Sequence, residues 1–139
     1  MELSGTGKIG ITILRRVNSE TNDYWDGNWL EVEIRIEVFG IRTIYRANFR
    51  VEDLQRFYED LTLLNEKTSK KAEFTTMEEG LYLHINVELN GVVNCIGRAD
   101  TGNGNGMDFN VQSDLATLDV FIRELKTTLE SYPLVGSLE

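Results

Sequence analysis

With 139 residues the chain has room for one domain and little else. Fourteen Lys and Arg against 23 Asp and Glu leave a formal charge of −9; this disfavours a phosphate-binding surface, which depends on cations displacing counterions, and suits a basic partner. One cysteine, Cys95, excludes an internal disulfide framework and a multi-cysteine zinc site, and one histidine, His84, excludes sites built on two or three histidines.

No stretch approaches the roughly 18 consecutive apolar residues of a membrane span. Met1-Glu2-Leu3-Ser4-Gly5 lacks the basic start and apolar run of a signal peptide, so the expected location is cytoplasmic. Ile9, Ile11 and Ile13 alternate with Gly10, Thr12 and Leu14, which predicts a strand over Lys8–Val17. Asp23-Tyr24-Trp25-Asp26-Gly27-Asn28-Trp29-Leu30 follows, with two tryptophans, a tyrosine and an Asp-Gly turn in eight residues. It reads as a tight turn whose aromatics plug the end of the core, Asp26 bonding the turn backbone. The same residue types lead the anchors of binding surfaces.

From Leu30 to Val38 the alternation is perfect: Leu30, Val32, Ile34, Ile36 and Val38 against Glu31, Glu33, Arg35 and Glu37. Phe39-Gly40 turns the chain into a second alternating run, Ile41–Val51. Pairing Val38 with Ile41 sets Glu37 opposite Arg42 and Glu33 opposite Arg46, cross-strand pairs of about 0.2–1 kcal/mol each that oppose a slip. The period then becomes helical: Leu54, Phe57, Tyr58, Leu61 and Leu64 predict a helix over Val51–Glu66, with Glu52 and Asp53 in its first turn. Lys71–Met77 reads as a short strand, and Leu81–Leu89 as a regular one. Asn90-Gly91 suggests a two-residue type I′ turn into a strand over Val92–Ala99. Met107, Phe109 and Val111 mark a last strand; Leu115, Leu118, Ile122, Leu125 and Leu129 form the stripe of a closing helix, capped by Ser113 or Asp114 and ended by Pro133.

The expected fold is α+β: a single domain over 1–139, two-layered, with a curved antiparallel sheet of about seven strands in βββ-α-ββββ-α order and both helices packed on one face. The ordered core is expected over about residues 8–132, with a frayed tail in which Leu138-Glu139 reads as a vector remnant. Strands then a helix, twice, is the order of a duplication, but the residues of the two halves do not match.

Little in the chain points to bond-making chemistry. Gly102-Asn103-Gly104-Asn105-Gly106 joins two strands and has no following Lys-Ser/Thr, so it is a hairpin loop rather than a phosphate cradle. With Leu89 opposite Val92, Cys95 falls opposite Asn86, one diagonal step from His84. A Cys–His nucleophile needs that proximity, whereas lone cysteines are more often small core residues. The carboxylates of Asp23 and Asp26, Glu59-Asp60 and Glu78-Glu79 are dispersed along the chain and read as a solvated acidic surface rather than a paired-acid site. No catalytic residue, metal or cofactor is expected.

The D-Y-W-D-G-N-W-L run resembles the WapI family of immunity proteins, as do the helix start Asp53-Leu54-Gln55-Arg56-Phe57, the strand entry Glu78…Leu81-Tyr82-Leu83 and the terminal helix after Ser113-Asp114. The resemblance covers about Ile9 to Tyr132 and departs at Gly91-Val92-Val93, where a Gly-His strand opening is expected. It implies a small cytoplasmic protein that neutralises the toxic C-terminal domain of a contact-dependent wall-associated protein; the type member's toxin is a nuclease that cleaves transfer RNA. The expected partner is then a cognate toxin domain with a basic surface, with no direct contact to nucleic acid or membrane and the protein a monomer or weak homodimer. Candidate partner-binding residues are Asp23, Trp25 and Asp26 in the aromatic turn, Glu31, Glu33 and Glu37 on the open sheet face, and Glu59, Asp60 and Glu66 on the first helix. Arg35, Arg42 and Arg46 partly neutralise the sheet-face acids. Two rival readings are a small-ligand carrier with an apolar cavity between sheet and helices, and an enzyme using His84 with Cys95 or an acid.

Overall fold

Alternating apolar side chains build the first half of the chain. In β2 (Lys8–Arg16) and β3 (Trp29–Val38), Ile9, Ile11, Leu30, Val32, Ile34 and Ile36 point the same way and are buried. The computed structural model describes residues 1–137, so the Leu138-Glu139 reading lies outside the described residues. Strand β1 (Glu2–Ser4) pairs with β2, and β4 (Ile41–Arg50) closes a four-stranded antiparallel sheet in the order β1-β2-β3-β4. Helix α2 (Val51–Asn65) follows; β5 (Lys71–Phe74), β6 (Leu81–Val87), β7 (Val92–Asp100) and β8 (Gly106–Asp114) make a second antiparallel sheet of four, and α3 (Leu115–Ser131) ends the regular structure. A one-turn helix, α1 (Tyr24–Gly27), interrupts the β2–β3 connection.

The α+β class and the strand–helix order agree with the sequence reading, and two details differ. The strands form two sheets instead of one, because α2 separates β4 from β5 and no ladder joins them. The strand count is eight instead of seven, since β1 has three residues and one inward side chain, Leu3, too few to show a period.

The β3–β4 register is the expected one, with Val38 opposite Ile41, Glu37 opposite Arg42 and Glu33 opposite Arg46. The β6–β7 register differs by one residue: Cys95 pairs with Ile85, not with Asn86. A type I′ turn requires left-handed backbone at both central residues, but here Gly91 (φ 86°) has it and Asn90 does not. The Asn90 side chain accepts the Val92 N–H at 3.1 Å, Gly91 N–H donates to Glu88 O at 2.9 Å, and the loop takes three residues. A one-residue slip turns over a whole strand. Cys95 accordingly faces the core with Val93 and Ala99.

Helix α2 buries Val51, Leu54, Phe57, Leu61 and Leu64, and α3 buries Leu118, Phe121, Ile122 and Leu125. Leu115, expected in that stripe, is 39% exposed at the helix start. Asp114 supplies the cap, accepting the Thr117 N–H at 2.7 Å. Phe74 lies 4.8 Å from Phe49 and 5.0 Å from Phe57, and Phe57 lies 6.0 Å from Phe121, ring centroid to centroid. These four rings join both sheets to both helices at the centre of the core.

Candidate functional site

The aromatic turn is organised around a residue from another strand. Extending the β3–β4 register from Val38:Ile41 to its far end puts Trp29 opposite Arg50. The Arg50 side chain is 3% exposed, and its guanidinium carbon lies 5.3, 5.2 and 5.1 Å from the ring centroids of Tyr24, Trp25 and Trp29. It donates to the carbonyls of Trp25 (2.8 Å) and Tyr24 (3.0 Å) and pairs with Glu52 at 3.2 Å. A planar cation with five donors suits this combination of stacking and forked bonding, which lysine cannot reproduce.

The remaining polar groups lock the turn. Asp23 caps α1, its Oδ2 accepting the N–H groups of Trp25 (3.0 Å) and Asp26 (2.9 Å). The sequence reading gave that task to Asp26, whose side chain is instead exposed; the carboxylate before the turn reaches the free amides, as N-cap geometry requires. Asn28 is fully buried and donates to Tyr24 O and Val135 O, while its Oδ1 accepts the Val135 N–H at 2.9 Å. The segment after Pro133, expected to fray, is thus tied to the turn as far as Val135. Gly27 permits the approach, since a Cβ there would stand 2.7 Å from Val135 Cγ2.

Two carboxylates beside Arg50 shift in opposite directions. Burial pushes the Glu52 pKa up, but bonds from the Tyr24 hydroxyl, its own backbone amide and Arg50 outweigh this and hold it below the ordinary value. At Asp53 burial prevails: the carboxyl stays raised although it accepts the Arg50 N–H and pairs with Arg56 at 2.6 Å. Beyond this cluster opens a cleft of about 410 Å³, between Trp25, Arg50, Glu52 and Arg56 on one side and Thr76 and Met77 on the other. Trp25 is 56% and Met77 65% exposed.

The nine candidate contacts fall into three groups. Asp23, Trp25 and Asp26 share the turn. Glu31, Glu33 and Glu37 share the outer face of the first sheet, where each is tied to a base: Glu31 to Arg15 (3.6 Å) and Arg46 (3.5 Å), Glu33 to Arg35 (3.1 Å), Glu37 to Arg42 (3.2 Å) and Lys8 (4.0 Å). Arg46 therefore reaches diagonally past the Glu33 opposite it. Glu59, Asp60 and Glu66 lie along α2 and its C-terminal cap, without ion pairs among the described residues.

The Cys95–His84 pairing is not formed. Cys95 faces the core, where burial pushes its thiol up to about 12. His84 stands on the opposite face of the sheet, between Glu73 and Ile96. Among the described residues no three His, Cys, Asp or Glu side chains gather as a metal site. Nor is any helix long and apolar enough to cross a membrane. Sequence reasoning missed Arg50, Thr76 and Met77. It also missed an amide ladder on the outer face of the second sheet, where Asn94 donates to Asn86 and Gln112 donates to Asn94, both at 3.2 Å.

Four strands and a helix, twice over, with an arginine-centred aromatic turn at one end, define an α+β protein. The chain belongs to the immunity protein WapI-like family, whose model matches residues 2–133, and membership gives it a toxin-neutralising immunity role. No curated protein matches. Among solved structures the chain is similar to one in the crystal structures of Trypanosoma bruciei MRP1/MRP2, at 10% identity over 88% of this chain and 84% of that one, with a TM-score of 0.49. It is also similar to a chain of a guide-RNA-binding protein complex bound to a gRNA, at 13% identity over 88% and 89%, with a TM-score of 0.48.

Proposed function

We propose that this chain neutralises a toxin domain of the nuclease type, one that cleaves transfer RNA, by laying an acidic surface over the toxin's cationic, substrate-binding one. The observation that carries the reading is where its own arginines go. Arg15, Arg35, Arg42, Arg46, Arg50, Arg56, Arg98 and Arg123 all sit in ion pairs within the chain. Arg16 gives its guanidinium to the carbonyls of Gly27 and Pro133. Asp26, Glu59, Glu66, Glu78 and Glu79 are exposed and, among the described residues, unpaired. Much of the net charge of −9 is thus presented outward by carboxylates that the fold does not use.

A nuclease must offer lysines and arginines to its substrate's phosphates, and a surface of opposite sign both steers towards that site and excludes the substrate from it. Such a blockade is non-enzymatic, uses neither cofactor nor metal, and takes place in the cytoplasm between single copies of the two proteins. The contacts we assign are Asp23, Trp25, Asp26, Glu31, Glu33, Glu37, Glu59, Asp60 and Glu66. Co-expression with the toxic domain encoded beside this chain tests the reading. Normal growth and a single complex on a sizing column are expected; unrelieved arrest with two separate peaks would overturn it.

A further inference from the structure

We infer that the cleft between the α1 turn and the β5–β6 loop is where the partner is gripped, and that its occupant is one lysine or arginine side chain of the toxin domain. The inference rests on the toxin-binding reading above and adds to it a place and a chemistry.

Trp25 is the first ground. It is more than half exposed, yet its surroundings are fixed: its ring stands edge-on to Tyr24 at 5.0 Å and lies against the Arg50 guanidinium, which also holds its carbonyl. A large side chain ordered before binding loses little freedom when a partner covers it. Met77 lines the same cleft, is also more than half exposed, and brings an adaptable thioether. Two apolar walls over a polar floor is the anatomy of a binding hot spot.

The floor and rim decide what fits. Thr76 lines the cleft and its Oγ1, hidden from solvent, has no hydrogen-bond partner among the described residues, so it is an unused acceptor for a donor that turns the hydroxyl outward. The two cations there are committed, Arg50 to Glu52 and two carbonyls, Arg56 to Asp53. Asp26 adjoins Trp25 in the chain, and Glu78-Glu79 follow Met77; all three are exposed and without ion pairs among the described residues. A partner's carboxylate would meet these acids, and an aliphatic side chain would leave the Thr76 oxygen unused. A lysine or arginine satisfies every condition, its stem along Trp25 and Met77, its head against the indole face and in bond with Thr76. At about 410 Å³ the cleft has room for one such side chain. The outer face of the first sheet is a poorer landing for a cation, because Glu31, Glu33 and Glu37 already hold five bases.

The test is calorimetric titration of variants against the toxic domain encoded beside this chain. Met77→Arg, at an exposed position that leaves the fold intact, and Trp25→Ala should each weaken binding by about thirty-fold or more, the scale of a hot-spot truncation. Thr76→Val should weaken binding by about five-fold without lowering the thermal midpoint, since it removes an unsatisfied buried group. Ile96→Arg, on the open face of the second sheet, should stay within about two-fold of the wild type. Wild-type protein that binds while Met77→Arg binds equally well overturns the cleft and leaves the toxin reading standing. Wild-type protein that does not bind removes both. Should Trp25→Ala fail to fold, Met77→Arg and Thr76→Val decide.

Discussion

Arg50 holds together segments that are far apart in sequence: the end of β4, the α1 turn through two carbonyls and three rings, and the first turn of α2 through Glu52. Replacing it by methionine keeps the bulk but takes the donor from Trp25 O and the cation from Glu52, while Tyr24 O keeps its bond from Asn28 and Glu52 keeps the Tyr24 hydroxyl. Arg50→Met should cost about 3 kcal/mol in urea unfolding, in the range for breaking a buried ion pair; a loss of only a few tenths would show that the stack is ornamental. Glu52 is held below its ordinary pKa, so its ionised form adds stability above that ordinary value and loses it as pH falls through the lower folded one. Asp53 is raised and runs the other way, its cost at neutral pH relieved on acidification. Glu52→Gln should therefore destabilise the protein at about pH 7, with the gap to the wild type closing as pH falls below the ordinary carboxylate range; a gap that stays constant into acid would contradict this. Much of the site was legible residue by residue. Once Glu37 is set against Arg42, the same register brings Trp29 to Arg50. Thr76 and Met77 were not legible, because only the packing of the β5–β6 loop carries them to Trp25.

At the scale of elements, registers backed by two agreeing signals came out as read. In β3–β4 the charge pairs and the apolar alternation name the same pairing. In β6–β7 the Asn-Gly dipeptide stood alone, and a side-chain bond from Asn90 chose a longer turn, moving Cys95 to the core and away from His84. The division into two sheets had no sequence signal, since edge strands show the same alternation as central ones. The end of α2 offers a direct check on local physics. Lys67, with φ 62°, is left-handed after the Glu66 cap, and Thr68 N–H bonds Leu63 O at 2.9 Å, an arrangement that favours glycine. Lys67→Gly should raise stability by about 0.5–1 kcal/mol in thermal unfolding, by relief of left-handed strain. A loss of that size would mean the Lys67 side chain contributes packing that its exposed position does not suggest.

The whole molecule repeats one plan, four antiparallel strands then a helix, around a shared core of phenylalanines. That plan fixes the surface while leaving its charge free to vary, and here nearly every arginine is neutralised from within while unpaired carboxylates face outward. Family membership supplies the immunity role; the charge distribution supplies a way to perform it. The decisive measurement is the association rate with the cognate toxin domain, followed by stopped flow as salt is raised from about 20 mM to about 0.5 M. Electrostatic steering should slow association by about ten-fold or more over that range. A rate indifferent to salt would contradict an acidic surface meeting a basic one.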